Sequence, residues 1–189
     1  LNRGEDDVSL YPGQNTTGLV PLVRFDGEPL YLPGQAPDED EVRARVDAYW
    51  RPYHQALQGE LDRLRAAHGR VLLWEGHSLR GSGLPFLFHG RLPDLNLGTA
   101  SGTSCAPQVQ ARLEAVLAAQ DDYDWVANGR FKGGHITRHY GDPANGIDAV
   151  QLELSQRTYM DEDTVDYDAG RAARLQPLLE CLQRAALGD

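Results

Sequence analysis

Two short stretches constrain how this chain can fold. Residues 70–78, RVLLWEGHS, form a continuous apolar run that stops at a polar tip, the pattern of a strand buried inside an α/β sheet. Residues 148–155, DAVQLELS, alternate instead, which puts Gln151 and Glu153 on one face of a second strand and Val150, Leu152 and Leu154 on the other. Apolar strand faces need cover, and the chain offers three amphipathic helices to supply it.

Asp38 and Glu41 stand at capping-box spacing before Val42, Val46, Tyr49, Trp50, Tyr53, Leu57, Leu61 and Leu64, which predicts a helix over 39–67 stopped by Gly69. A second helix is expected over 107–119, with Val109, Leu113, Val116 and Leu117 inward. A third is expected over 169–187, with Ala172, Leu175, Leu178, Leu179, Leu182 and Ala186 inward. Residues 1–37 read as loops with at most a short hairpin about the turn DGEP, and residues 80–106 as a long Gly/Pro-rich loop anchored by Phe86, Leu87, Phe88, Leu92 and Leu95. The order implies α/β architecture, a mixed sheet flanked by helices. At 189 residues and 41% hydrophobic, one domain over 1–189 accounts for the length.

Composition excludes several roles. Asp and Glu number 28 against 18 Lys and Arg, a net charge of -10, which disfavours non-specific nucleic-acid binding. No apolar run is long enough to cross a membrane as a helix, so a cytoplasmic protein is expected. Cys105 and Cys181 form no CxxC pair, so neither a disulfide framework nor a cysteine zinc site is indicated.

Against this acidic background, residues 128–141, NGRFKGGHITRHYG, hold three cationic side chains and two histidines without a carboxylate. Arg130, Lys132 and Arg138 either form an anion site or lie on a solvated face, paired with the abundant acids. Gly129, Gly133, Gly134 and Gly141 suit close backbone approach to a ligand. His135 and His139 have helical chelate spacing, but the glycines and the β-branched Ile136 and Thr137 predict a strand there. His77 ends the first strand, where α/β proteins present ligands, or is a satisfied loop histidine. Glu153 is a costly carboxylate in a buried strand, or one on an edge strand facing water. Together these residues make the set needed for metal-assisted hydrolysis of an anion.

LNR at residues 1–3, GHSLRG at 76–81, LPFLFHGRLPDLNLGTASGTSCAP at 84–107 and NGRFKGGHITRHYGDPANGIDAVQLELSQRTYM at 128–160 resemble the N-formylglutamate amidohydrolases, also called N-formylglutamate deformylases. The resemblance runs through nearly the whole chain. It implies a zinc-carboxypeptidase-like (phosphorylase/hydrolase-like) fold with one catalytic zinc. The implied reaction converts N-formyl-L-glutamate to formate and L-glutamate, the last step of one histidine-degradation route. His77 matches a zinc ligand and Glu153 the general base. Asn2 and Arg3 match a pair that holds a substrate carboxylate, and Arg130, Lys132 and Arg138 are further substrate-binding candidates. Arg80 or Arg138 would help stabilise the oxyanion.

The family's early Ser-Pro-His-Ser-Gly motif is absent and the chain opens without Met, so an amino-terminal part with two zinc ligands is expected to be missing. The alternatives are a related zinc enzyme acting on another N-acyl amino acid or a peptide carboxyl terminus, and a metal-free module binding acidic metabolites. The oligomeric state stays open.

Overall fold

The computed structural model describes residues 1–11, 16–84 and 87–188. Residues 12–15 of the expected opening loops, and Phe86 among the expected loop anchors, lie outside the described residues.

Asp38 starts the first helix by accepting a hydrogen bond from the Glu41 backbone N–H at 2.9 Å, and α1 runs Glu39–Arg45. The Glu41 carboxylate turns forward to Arg45 instead of back to the cap, so only half of a capping box forms. Val46–Trp50 is a π-helical turn, after which α2 spans Arg51–His68 and Gly69, at φ 77°, closes it in the left-handed region. The expected helix therefore exists as one run with a wide turn inside it. That turn absorbs an extra residue and rotates the downstream part of the helix by about 100°. Val46, His54 and Leu61 are buried as a result, whereas Tyr49 and Tyr53, expected inside, are 70% and 40% exposed.

The chain continues through β1 (Val71–Leu79), β2 (Leu95–Gly98), α3 (Pro107–Ala118), β3 (Trp125–Ala127), α4 (His135–Tyr140), β4 (Ile147–Ser155) and α5 (Ala169–Leu187). The strands form a mixed sheet in the order β1-β4-β2-β3, in which β4 is parallel to β1 and antiparallel to β2, and β3 is parallel to β2. The sequence shows β1 and β4 but not β2 and β3. At four and three residues, these are too short to display a period of two, and β2 lies inside the segment read as loop. β4 is hydrogen-bonded on both sides, so the alternative of Glu153 on a water-facing edge does not hold. Within residues 1–37 the Asp26-Gly27 turn closes one isolated bridge, Val23 to Pro29.

Leu72, Trp74, Leu95, Leu97, Val150 and Leu152 on one sheet face pack against Val109, Leu113 and Leu117 of α3 and Leu175, Leu182 and Ala186 of α5. On the other face Val71, Leu73 and Ile147 meet Leu57 and Leu61 of α2 and Ile136 and Tyr140 of α4. Buried Asp148 ties the start of α3 to the sheet, accepting from the Ala106 N–H and from Arg70, each at 2.6 Å. The segment between β1 and β2 is held at its ends, because the Leu92 N–H donates to the Gly81 carbonyl at 2.8 Å and Gly81 N–H donates to Glu162 at 2.6 Å.

Of residues 133–137, expected as strand, His135 to Thr137 instead open helix α4, with Gly134 at its N-cap. Partners distant in sequence decide this. The Gly134 N–H donates to Gln151 Oε1 at 2.7 Å, the Ile136 N–H to Asn2 Oδ1 at 2.8 Å, and Thr137 Oγ1 to Glu75 Oε2 at 2.9 Å. The first two bonds satisfy amides that a helix start leaves bare, the third pins the first turn to β1, and the local β preference loses to them.

Candidate active site

β1 and β4 pair in parallel with Glu75 beside Gln151 and His77 beside Glu153. Paired residues share a sheet face, as do residues two apart, so these four polar side chains make one block on the face that carries α2 and α4. The block sits toward the carboxyl ends of both strands, where α/β sheets present ligands.

Glu75 belongs to this block although the sequence alone did not single it out. The signal was available: it is a carboxylate in an apolar run, two positions before His77, the same argument that singled out Glu153. Glu75 is buried; its Oε1 lies 3.1 Å from His77 Nε2, and its Oε2 accepts from Thr137. The hydrogen bond between His77 and Glu75 raises the pKa of His77, with burial opposing it. Glu153 is 8% exposed, and burial pushes its carboxyl up to about 7, the charge of His77 offsetting and that of Glu75 adding.

Asn2 joins the block to α4. Its Oδ1 takes the Ile136 N–H, which turns Nδ2 toward Glu75 Oε2 at 3.4 Å and His77 Nε2 at 3.3 Å. Gly134 leaves room for this amide, since a Cβ there would collide with all three terminal atoms of Asn2.

A cavity of about 440 Å³ opens over the block, and Asn2, Arg3, His77, Arg130, Gln151 and Glu153 are in its wall. Arg3 is oriented by the Thr17 carbonyl at 2.5 Å and the Thr17 hydroxyl at 2.9 Å, and Arg130 donates to the Leu87 carbonyl at 2.9 Å. Burial lowers the pKa of both guanidiniums, and the charge of Arg3 lowers that of Arg130 further. Two desolvated cations in one cavity favour an anionic ligand.

The other predicted cations stand elsewhere. Arg138 Nε donates to the Gly133 carbonyl at 2.9 Å and its guanidinium lies 5.1 Å from the Tyr11 ring centre, outside the cavity wall. Lys132 also lies outside that wall, and its backbone N–H donates to the Tyr11 hydroxyl at 3.1 Å. Arg80 follows the end of β1 and pairs with Asp163 at 2.6 Å. The glycines of 128–141 mainly accommodate the protein itself. A Cβ on Gly141 would sit 2.6 Å from the Ser104 carbonyl oxygen, and one on Gly133 would sit 2.9 Å from Thr137.

His135 and His139 do lie on a helix, but their rings stack on each other at 4.9 Å, and burial with two neighbouring histidines lowers His135 to about 4. Among the described residues no group of three or more His, Cys, Asp or Glu could hold a metal ion. His77 contributes an imidazole to the cavity wall, and among the described residues no two further donors group with it.

Residues 1–160 match the family model described as N-formylglutamate amidohydrolase. The chain belongs to the N-formylglutamate amidohydrolase family. It is 53% identical over 188 residues to the N-formylglutamate deformylase of Pseudomonas putida, an alignment covering 99% of this chain and 70% of that protein. The Pseudomonas aeruginosa N-formylglutamate deformylase is 52% identical over 187 residues, again across 70% of its length. Among solved structures, the N-formylglutamate amidohydrolase of Ralstonia eutropha JMP134 superposes with a TM-score of 0.80 at 27% identity, covering 98% of this chain and 71% of that one. An Agrobacterium tumefaciens gene product, Atu2144, shares the fold at 20% identity with a TM-score of 0.64. The mixed sheet and its helices are therefore the family's architecture, and the block on β1 and β4 lies within the matched residues.

Proposed function

We propose that this chain carries the base and the anion-binding wall of a zinc-dependent N-formyl-L-glutamate deformylase with a zinc-carboxypeptidase-like arrangement, acting in the cytoplasm. The observation that carries the reading is Glu153, a buried carboxyl with a pKa of about 7, beside His77 in a cavity that also holds Arg3 and Arg130. The deformylase names of the Pseudomonas relatives support the substrate.

N-formylglutamate bears two carboxylates flanking the reacting formamide. Arg3 and Arg130 bind them, each guanidinium offering a planar fork that suits a carboxylate. Binding displaces water from a half-buried wall and strengthens both contacts. Glu153, poised near neutral pH, takes a proton from the attacking water and returns it to the departing amine. Asn2 and Glu75 hold His77 in place, and Thr137 and Ile136 hold Glu75 and Asn2 in turn. His77 would donate to zinc, whose contribution when bound is a more acidic water and a polarised carbonyl. The described residues do not complete that site, so in this reading the remaining ligands come from elsewhere, and none of the proton transfers above is assigned to the ion.

One rival is a metal-free module for acidic metabolites, which the desolvated Arg3 and Arg130 of the cavity would also suit. One assay separates the two: zinc content and formate release from N-formyl-L-glutamate, on the chain with and without the additional residues of its longer relatives. Turnover that accompanies zinc and disappears in Glu153→Gln supports the deformylase. Retained turnover in that variant sinks the role of Glu153, and binding without zinc or turnover in either form supports the module. A panel of N-acetyl and larger N-acyl amino acids sets the acyl specificity.

A further inference from the structure

Gln151 lies on β4 two residues before Glu153, on the same face, 4% exposed and in the cavity wall. Its Oε1 accepts the Gly134 backbone N–H at 2.7 Å in a buried bond. A backbone N–H can only donate, so the atom facing it must be the carboxamide oxygen, and the orientation of this glutamine is settled by its partner. The Nε2 group therefore points away from Gly134. Among the described residues it has no hydrogen-bond partner, and it is not among the sealed, unpartnered buried atoms. A donor set in a buried strand and open only toward a cavity is available to a ligand.

We propose that Gln151 contacts the substrate, its Nε2 donating to the carbonyl oxygen of the scissile formamide as water attacks beside Glu153. The inference rests on the deformylase reading. Spacing supports this oxygen as the target. Two residues along a strand cover about 6.6 Å. That matches a base bound to a water at one end and a donor bound to the carbonyl oxygen at the other, each about 3 Å from its partner. Charge supports it as well. The substrate carboxylates already face Arg3 and Arg130, which leaves the uncharged formyl oxygen to the neutral carboxamide. A neutral carboxamide stabilises a developing oxyanion without disturbing the base.

The test uses two variants and two substrates. Gln151→Glu keeps the acceptor for Gly134, so the fold around α4 survives, but it turns an oxygen toward the cavity and adds a charge beside Glu153, so for this variant the ratio of rates on the two substrates is the readout. Gln151→Met is neutral and removes donor and acceptor together. Each is assayed on N-formyl-L-glutamate and on its thioformyl analogue, whose sulfur is a poor acceptor. Loss of one such donor lowers kcat by about 10²-fold, with KM little changed. That loss is expected in both variants on the formyl substrate, and it should shrink at least about tenfold on the thioformyl one. Equal penalties on the two substrates, or a raised KM with kcat intact, would overturn the inference. So would normal formate release by both variants, which leaves the deformylase reading standing. No formate release from the unaltered enzyme carrying the additional residues of its longer relatives would overturn both.

Discussion

Replacing Glu153 by glutamine is expected to stabilise the metal-free protein above neutral pH and to do little near pH 4. The carboxyl rises from an ordinary 4.5 to about 7, chiefly through burial. Below 4.5 the folded and unfolded chains both carry the proton, and the group contributes no difference. Between 4.5 and 7 the unfolded chain releases it while the folded chain keeps it, so stability falls as pH rises. Above 7 the whole penalty is present. The difference between 4.5 and about 7, at about 1.4 kcal/mol for each pH unit, sets that penalty at about 3.5 kcal/mol. Glutamine cannot ionise and escapes it. Urea unfolding of wild type and Glu153→Gln at pH 4 and pH 8.5, with chelator present, measures the difference. Subtracting the variant from the wild type at each pH cancels the titrating groups that do not sense Glu153, leaving its own contribution together with its effect on His77. A stability gap that stays constant across the two pH values would refute the reasoning, since it would mean that Glu153 titrates alike folded and unfolded.

Other perturbations test separate parts of the site. In Gly134→Ala the new methyl displaces the Asn2 amide, freeing the Ile136 N–H; stability should fall by about 1–3 kcal/mol, with faster hydrogen exchange at the start of α4. Glu75→Gln removes the charge that holds the His77 proton, so the His77 pKa, followed by NMR in metal-free protein, should drop. An unchanged value would remove Glu75 from the site. Asp148→Ala leaves the buried Ala106 N–H unmet at the head of α3, and an unfolding free energy lower by about 1–3 kcal/mol is expected.

The sequence was informative where one signal could settle a segment alone. α3 and α5 carry uninterrupted apolar periods and lie within a residue of where those periods place them, and β4 divides its faces as alternation demands. The misses have tertiary causes. α4 forms because Asn2, Glu75 and Gln151 hold its first turn, and none of these lies within its own window. Tyr49 and Tyr53 are exposed because a single wide turn shifts the face of the helix, which no periodic template anticipates. In the site, Asn2, Arg3, His77, Arg130, Gln151 and Glu153 come together. Arg80, Lys132 and Arg138 share their charge but not their location, because charge can be read from a sequence and direction cannot.

The bond between the Leu92 N–H and the Gly81 carbonyl has a consequence for how such a chain can diversify. It ties off the intervening segment as a closed loop whose ends are fixed to the sheet, while Leu87 within it reaches the cavity wall. Lengthening a loop whose ends are already fixed is cheap, about 0.6 kcal/mol for each doubling. Changes of length or side chain between residues 82 and 91 can therefore reshape the cavity wall without moving either strand that carries Glu153 and His77. Glu153 and His77 stay in place while the outline of the cavity above them is free to drift.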